Sequence, residues 1–145
     1  MALSWTGGPW VADTSAWARA AAPDVAAQWV AAAHAGELVA CPIVTLELLF
    51  DARDGGEVER VAVALTATRQ ALVTRTVTDA AIAAIRDLAK RGSAAAHRVR
   101  IPDALIAAAA AERGCGVLHY DHHFDRLATV MGFTSQWVAS PGSIP

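Results

Sequence analysis

Four acids sit where the chain punctuates its short apolar runs. Asp13 follows Trp10-Val11-Ala12 and Asp121 follows Val117-Leu118-His119-Tyr120. Asp103 stands behind Ile101-Pro102 at the start of an alanine-rich segment, and Glu47 lies about one turn into the segment opened by Pro42. In open α/β sheets ligands bind outside the carboxyl ends of the strands, so acids directly after two strands stand at that rim. An acid in the first turn of a helix is favoured there by the helix dipole. Carboxylates that converge without a counter-charge repel one another, and some must take up protons. A hard divalent cation removes that penalty. Mg²⁺ or Mn²⁺ prefers oxygen ligands and keeps several waters, and such an ion can activate a water to attack a phosphodiester while stabilising the leaving oxygen. No Ser or Cys nucleophile is needed.

The elements that must position these acids can be read from the pattern of apolar residues. Trp10-Val11-Ala12 reads as a buried strand, with Thr14 or Ser15 able to cap a helix directly after it. Pro23-Asp24 opens a helix carrying Val25, Trp29 and Ala33, closed by Gly36; Leu38 to Cys41 is a second strand. The helix from Pro42 places Ile43, Leu46 and Phe50 on one face with Glu47 partly away from it. After Asp54-Gly55-Gly56 a helix bears Val58, Val61 and Leu65, and Ala71-Leu72-Val73 reads as a third strand. Thr78 is expected to cap a helix with Asp79 in its first turn and a stripe of Ile82, Ile85 and Leu88, ending at Arg91-Gly92-Ser93. Ile101-Pro102-Asp103 opens a helix through Glu112 that Gly114 terminates. Val117 to Tyr120 is a fourth strand, a short helix through Phe124, Leu127 and Val130 comes next, and Gln136-Trp137-Val138 is a last strand. Short apolar strands alternating with helices predict a three-layer α/β domain around a mainly parallel sheet of four to five strands.

Composition sets bounds without choosing a function. At 145 residues the chain is one domain, residues 1–145. Only 18% of residues are charged, which leaves apolar surface for a partner. The longest apolar run, Ala104 to Ala111, is far short of the roughly 18 residues that span a bilayer, and the N-terminal MALSWTGGPW has no basic region of a secretory signal. Cys41 and Cys115 lack metal-type spacing and read as buried thiols in a reducing cytoplasm. A net charge of −2 carries no basic footprint for nucleic acid, yet with the four acids set aside the remaining charges balance at about +2. Charge therefore neither supports nor excludes RNA.

Taken singly, each acid has a plain structural explanation. Asp13 is equally a helix cap, Asp103 a first-turn acid and Glu47 a solvated helix residue. Their local wording and order are more specific. Val11-Ala12-Asp13-Thr14-Ser15-Ala16-Trp17, Thr45-Leu46-Glu47-Leu48-Leu49, Arg100-Ile101-Pro102-Asp103-Ala104-Leu105-Ile106-Ala107-Ala108-Ala109-Ala110, Leu118-His119-Tyr120-Asp121 and Phe124-Asp125-Arg126-Leu127 span nearly the whole chain. In these segments the sequence resembles PIN-domain proteins, and more closely the VapC-type toxins of type II toxin–antitoxin pairs. The resemblance implies a PIN-like fold in which Asp13, Glu47, Asp103 and Asp121 are metal-binding acids, supported by Thr14 or Ser15. It implies Mg²⁺-dependent endoribonuclease activity, with Mn²⁺ as an alternative ion. It also implies a homodimer restrained by a VapB-type antitoxin lying in a groove of the early helices, with the apolar faces around Trp29 and Phe50 suited to that role.

The sequence departs from the family pattern once. Family members often carry a further acid two residues after the fourth, and here that residue is His123, within Asp121-His122-His123-Phe124-Asp125. Asp125, one helical turn beyond Asp121, is placed to replace it. His123 could instead favour a softer ion such as manganese or zinc. The plainer expectation is that His122 and His123 are exposed residues at a helix start. Arg98, Arg100, Arg19 and Arg126 flank the acids and are candidates for RNA phosphates, or else ordinary surface charge. Among competing functions, a phosphotransferase with Asp13 as nucleophile lacks a general acid two residues on, where Ser15 stands. A dinucleotide-binding enzyme lacks a Gly-rich turn after the first strand. A catalytically silent PIN-like scaffold is the remaining alternative, and the presence of all four acids counts against it.

Overall fold

The computed structural model describes residues 4–145, so the first three residues of the N-terminal segment, read above as no secretory signal, lie outside the described residues. The strands are β1 (Trp10–Ala12), β2 (Leu38–Val39), β3 (Gly116–His119) and β4 (Ser135–Trp137). Helices α1 (Thr14–Trp17) and α2 (Pro23–His34) separate β1 from β2. Helices α3 (Pro42–Phe50), α4 (Gly55–Thr66), α5 (Arg75–Arg91) and α6 (Ile101–Glu112) lie between β2 and β3, and α7 (His122–Ala128) links β3 to β4. The strands are all parallel, in the order β2-β1-β3-β4.

That order follows from burial on both faces. Alternate residues of a strand point to opposite sides, so Val11 and Val117 face one core while Trp10, Ala12 and Leu118 face the other. The first core is filled by α3, α5, α6 and α7 through residues such as Val44, Val77, Leu88, Ile106 and Phe124. The second is filled by α1 and α2 through Ala16, Val25 and Trp29, with Trp17 and Trp29 packed edge to face at 4.8 Å between ring centroids. Three layers result, as the alternation of elements predicts. The chain leaves β1 toward β2 on one side, and β3 pairs on the other side, so the carboxyl ends of β1 and β3 flank the topological switch point where such sheets hold ligands.

Several local expectations are corrected. Ala71-Leu72-Val73 is not a strand: only Gln70 bridges Ala40, and Leu72 is exposed, so the described sheet has four strands. The cap of α5 is Thr74, whose hydroxyl accepts from Val77 N–H at 3.2 Å, whereas Thr78 lies inside the helix and donates to Thr74 O. Asp79 is therefore beyond the first turn. On α5 the buried stripe is Val77, Ala81, Ala84 and Leu88, while Ile82 is exposed. On α3 the face that carries Leu46 and Phe50 is turned outward, the latter 89% exposed, and Val44 is what the helix buries. Helix α7 stops at Ala128 rather than Val130. In each case the choice among apolar residues was made by tertiary packing, which local pattern does not contain. Cys41 and Cys115 are free and buried, as expected.

Gly116 marks how closely the second core approaches the sheet. A Cβ there would lie 2.4 Å from Cζ3 of Trp10, and Trp10 is itself 1% exposed with no room to retreat. Gly116→Ala should therefore destabilise the fold by about 1–3 kcal/mol, the usual range for overpacking. Urea unfolding followed by tryptophan fluorescence checks this, and an unchanged midpoint would contradict the packing described.

Candidate active site

The site is assembled from the carboxyl ends of the two central strands and the first turn of α6. Asp13 leaves β1 with its N–H bonded to Leu118 O at 2.9 Å, which locks it to the neighbouring strand. Its extended backbone caps α1, and the carboxylate accepts from Ser15 N–H at 3.0 Å and Ser15 Oγ at 2.6 Å. The same Ser15 hydroxyl accepts from Tyr120 N–H at 2.9 Å, so one side chain ties the end of β1 to the segment leaving β3. Asp121 begins α7 and accepts from His123 N–H at 2.9 Å. Asp103 lies in the first turn of α6, behind Pro102, and is buried. Asp103, Asp121 and His123 each offer one donor atom within 4.8 Å of the others, which makes them a candidate metal-binding group among the described residues.

Glu47 joins from α3. Its carboxylate accepts from Thr14 Oγ1 at 3.0 Å and lies 3.5 Å from Arg100 Nη2. Thr14 and Ser15 thus each hold one of the four acids, Thr14 on Glu47 and Ser15 on Asp13. Both side chains therefore touch an acid directly through their hydroxyls.

Burial and mutual charge act together on these acids. Asp13 is held above the ordinary carboxylate range, chiefly by desolvation and further by the Asp121 charge, against the hydrogen bonds from Ser15. Asp103 is pushed up to about 6, first by desolvation and then by the charges of Asp13 and Asp121; the His123 contact and the Arg100 charge pull the other way. The Asp121 charge thus acts on both Asp13 and Asp103, although the three acids arise from three segments. A cation placed among them would relieve both the desolvation and the repulsion, and the donor set, carboxylate oxygens with one imidazole, suits a divalent ion.

The flanking residues divide. His122 is exposed, as expected of a helix start, with its ring against Trp137. His123 is not: its imidazole turns inward, Nδ1 lying 3.0 Å from Asp103 Oδ2 and 3.9 Å from Asp121 Oδ1. The reversal arises because Asp121 caps α7 and residue 123 falls in its first turn, where its ring faces Asp103 at the start of α6. Asp125 points elsewhere. It accepts from Ser135 Oγ at 2.7 Å and from Trp137 Nε1 at 2.9 Å, on the side of α7 toward β4. One helical turn carries it along the helix as expected, but those two donors draw its carboxylate away from the cluster.

Of the arginines, Arg100 stands at the rim beside Glu47 and is about half exposed. Arg19 is occupied: its guanidinium stacks 4.1 Å above the Tyr120 ring and donates to Ser15 O, and its Nε is buried with no hydrogen-bond partner. Arg126 reaches Arg98 O at 3.4 Å, and Arg98 itself is exposed.

Sequence reasoning missed His119, a fully buried residue on β3. Its Nδ1 accepts from Asp121 N–H at 3.2 Å, which leaves the proton on Nε2 for Ser135 Oγ at 2.6 Å, and Ser135 in turn donates to Asp125. Desolvation first of all drops its pKa to about 4, so the ring is neutral and positions the Asp121 backbone. A buried histidine within an apolar run looks like core, and nothing in its spacing would have separated the two roles.

Comparison with known proteins gives the family. The family model described as the PIN domain matches residues 11–130. Ribonuclease VapC18 of Mycobacterium tuberculosis is 35% identical over 91% of this chain and 96% of its own length, and Ribonuclease VapC51 of the same organism is 38% identical over 91% and 94%. A crystal structure of DNA-bound VapBC from Salmonella typhimurium superposes with a TM-score of 0.68 at 17% identity, covering 90% of this chain and 98% of that one, a likeness of fold. The chain belongs to the PIN-domain family, on the branch of the VapC ribonucleases.

The raised Asp103 pKa has a measurable consequence for metal-free protein. A carboxyl that holds its proton more tightly when folded stabilises the fold fully below its ordinary value of 3.8, and the contribution is lost as pH rises through about 6. The stability difference between wild type and Asp103→Asn should therefore move in the variant's favour by on the order of 2 kcal/mol between about pH 4 and pH 6.5. Urea unfolding in EDTA across that range checks it; a constant difference would mean that Asp103 titrates normally.

Proposed function

We propose that this protein is the toxin of a type II toxin–antitoxin pair, a divalent-metal-dependent endoribonuclease whose activity a VapB-type antitoxin restrains. The observation that carries the reading is the meeting of Asp103 and Asp121, with His123, at the switch point of a parallel sheet, near enough to the buried Asp13 that the charges of the three acids act on one another. The names of the VapC ribonuclease relatives supply the substrate class.

In this reading Asp13, Asp103 and Asp121 hold the cation, with Glu47 at its edge. A divalent ion there, Mg²⁺ or Mn²⁺, would supply the positive charge that acidifies an attacking water and neutralises the phosphate oxygens. The chain's own residues do the rest. Ser15 fixes the Asp13 carboxylate, Thr14 aims Glu47, and the neutral His119 holds the Asp121 backbone. Arg100, at the open rim, is the cation best placed to receive an RNA phosphate, ahead of Arg98; Arg19 and Arg126 are committed to contacts within the protein. An apolar groove between α2 and α4, lined by Trp17, Trp29, Ala33, Leu38, Ala64 and Leu65, offers the antitoxin a place. Trp29 contributes there mostly as its floor, since it is buried against Trp5 and Trp17.

The test is cleavage of cellular RNA by purified protein with Mg²⁺ or Mn²⁺. Asp13→Asn and Asp103→Asn should each lower cleavage by more than about 100-fold, beyond the 10–100-fold typical of residues that only support a ligand. Both variants should keep the far-ultraviolet circular dichroism of wild type and, without metal at neutral pH, unfold at higher temperature, because each removes a repelling charge. Undiminished cleavage by Asp13→Asn would overturn the nuclease reading. A wild type inactive on RNA that nevertheless binds its antitoxin tightly would favour the silent scaffold.

A further inference from the structure

His123 turns a nitrogen into the acid cluster. Its Nδ1 lies 3.0 Å from Asp103 Oδ2 and 3.9 Å from Asp121 Oδ1, and one donor atom from each of the three residues falls within 4.8 Å of the others. The ring is held from both sides. The Asp121 carboxylate accepts from His123 N–H at 2.9 Å and sets the first turn of α7, while the buried Asp103 is fixed in the first turn of α6. The amide N–H of Arg100 points at Nδ1 from 3.2 Å. A single Nδ1 cannot serve both contacts: with a proton it donates to Asp103 Oδ2, and without one it presents a lone pair. A cation between the ring and the Asp103 and Asp121 carboxylates would take the place of that proton, and an imidazole with its proton on Nε2 is a metal ligand.

We propose that His123 is a nitrogen ligand that makes the cation site of this chain selective for a transition-metal dication such as Mn²⁺ over Mg²⁺. The assignment rests on the metal-dependent reading above and narrows it to a class of ion. Two effects act in the same direction. A neutral imidazole brings no negative charge, so it adds little to the hold on a hard, strongly hydrated ion bound mainly by charge and oxygen. The nitrogen meanwhile adds affinity for first-row transition metals, which accept imidazole readily and Mg²⁺ does not. Asp125 adds no further carboxylate to the cluster, since Ser135 and Trp137 hold it on the side of α7 toward β4.

The experiment uses the full chain stripped with EDTA, titrated calorimetrically with Mn²⁺ and with Mg²⁺, and examined with bound Mn²⁺ by pulsed electron paramagnetic resonance. The ratio of Mn²⁺ to Mg²⁺ affinity should fall by about tenfold or more in His123→Asp, within the range that altered metal surroundings produce. Bound Mn²⁺ should show coupling to a ¹⁴N nucleus in wild type and lose it in His123→Asp and in His123→Asn, the second variant guarding against a folding defect peculiar to the first. An equal ratio in wild type and His123→Asp, or no nitrogen coupling in wild type, overturns the assignment and leaves the metal-dependent reading standing. Failure of either ion to bind wild type, or undiminished binding in Asp103→Asn, overturns both.

Discussion

Carboxylates buried side by side are the costly feature around which this fold is arranged. Asp13 and Asp103 are 3% and 1% exposed, and the charges of Asp13 and Asp121 both act on Asp103. An acid in such surroundings either takes up a proton or requires a cation. The chain could avoid the conflict by letting the acids swing outward, but their backbones do not permit it. Asp13 is locked to β3 by its own amide, Asp121 is the cap of α7, and Asp103 is anchored by a first turn whose next residues, Ala104, Ile106 and Ala107, are wholly inside the core. The destabilisation is tolerated because two apolar layers, one on each face of the sheet, supply the stability elsewhere.

Around this conflict lies a shell of uncharged donors that hold the acids without neutralising them. Ser15 donates to Asp13 and accepts from Tyr120 N–H; Thr14 donates to Glu47. Tyr120 passes the constraint outward, its ring beneath Arg19 and its hydroxyl bonded to the backbone at Ser140 and Ile144. His119 does the corresponding work on the other side, and its neutrality matters. A charged imidazole there would offset the Asp121 charge from below and weaken the pull of the site on a cation. Desolvation keeps it neutral, and the Asp125–Ser135 pair takes up its Nε2 proton donor.

Much of this was legible in the order of residues, for physical reasons that can be separated. Strands of a fully covered parallel sheet are short and apolar, so β1 and β3 stand out and the acids directly after them are placed by chain continuity alone. Pro42, Pro102 and Pro23 announce helix starts because proline lacks the amide that a first turn leaves unused. Which apolar residues of a helix face inward was less legible. Ile82, Leu46 and Phe50 have the composition of core and are exposed, while Ala81 and Ala84 are buried where α5 packs closely. Small residues are selected by proximity between helices, and proximity is a property of the tertiary arrangement. Side-chain direction at the site was the least legible. His122 and His123 are identical in type and adjacent in sequence, yet one is exposed and the other completes the acid cluster, because the 100° between successive helical residues turns only one toward α6.

The same reasoning separates Glu47 from the other acids. Asp13, Asp103 and Asp121 are fixed by strand ends and helix starts, where the backbone itself sets the position of a short side chain. Glu47 reaches the site on a longer side chain from within α3, and its position depends on two further side chains, Thr14 and Arg100. Those partners lie on different elements, α1 and the residue before α6, so Glu47 reports the spacing between the two halves of the rim. Its carboxylate is a quarter exposed and faces an arginine that is more exposed still, so solvent screens their attraction and the pair can open at little cost. The buried acids define where a cation would sit; Glu47 and Arg100 form the adjustable edge over which a phosphate chain would have to pass.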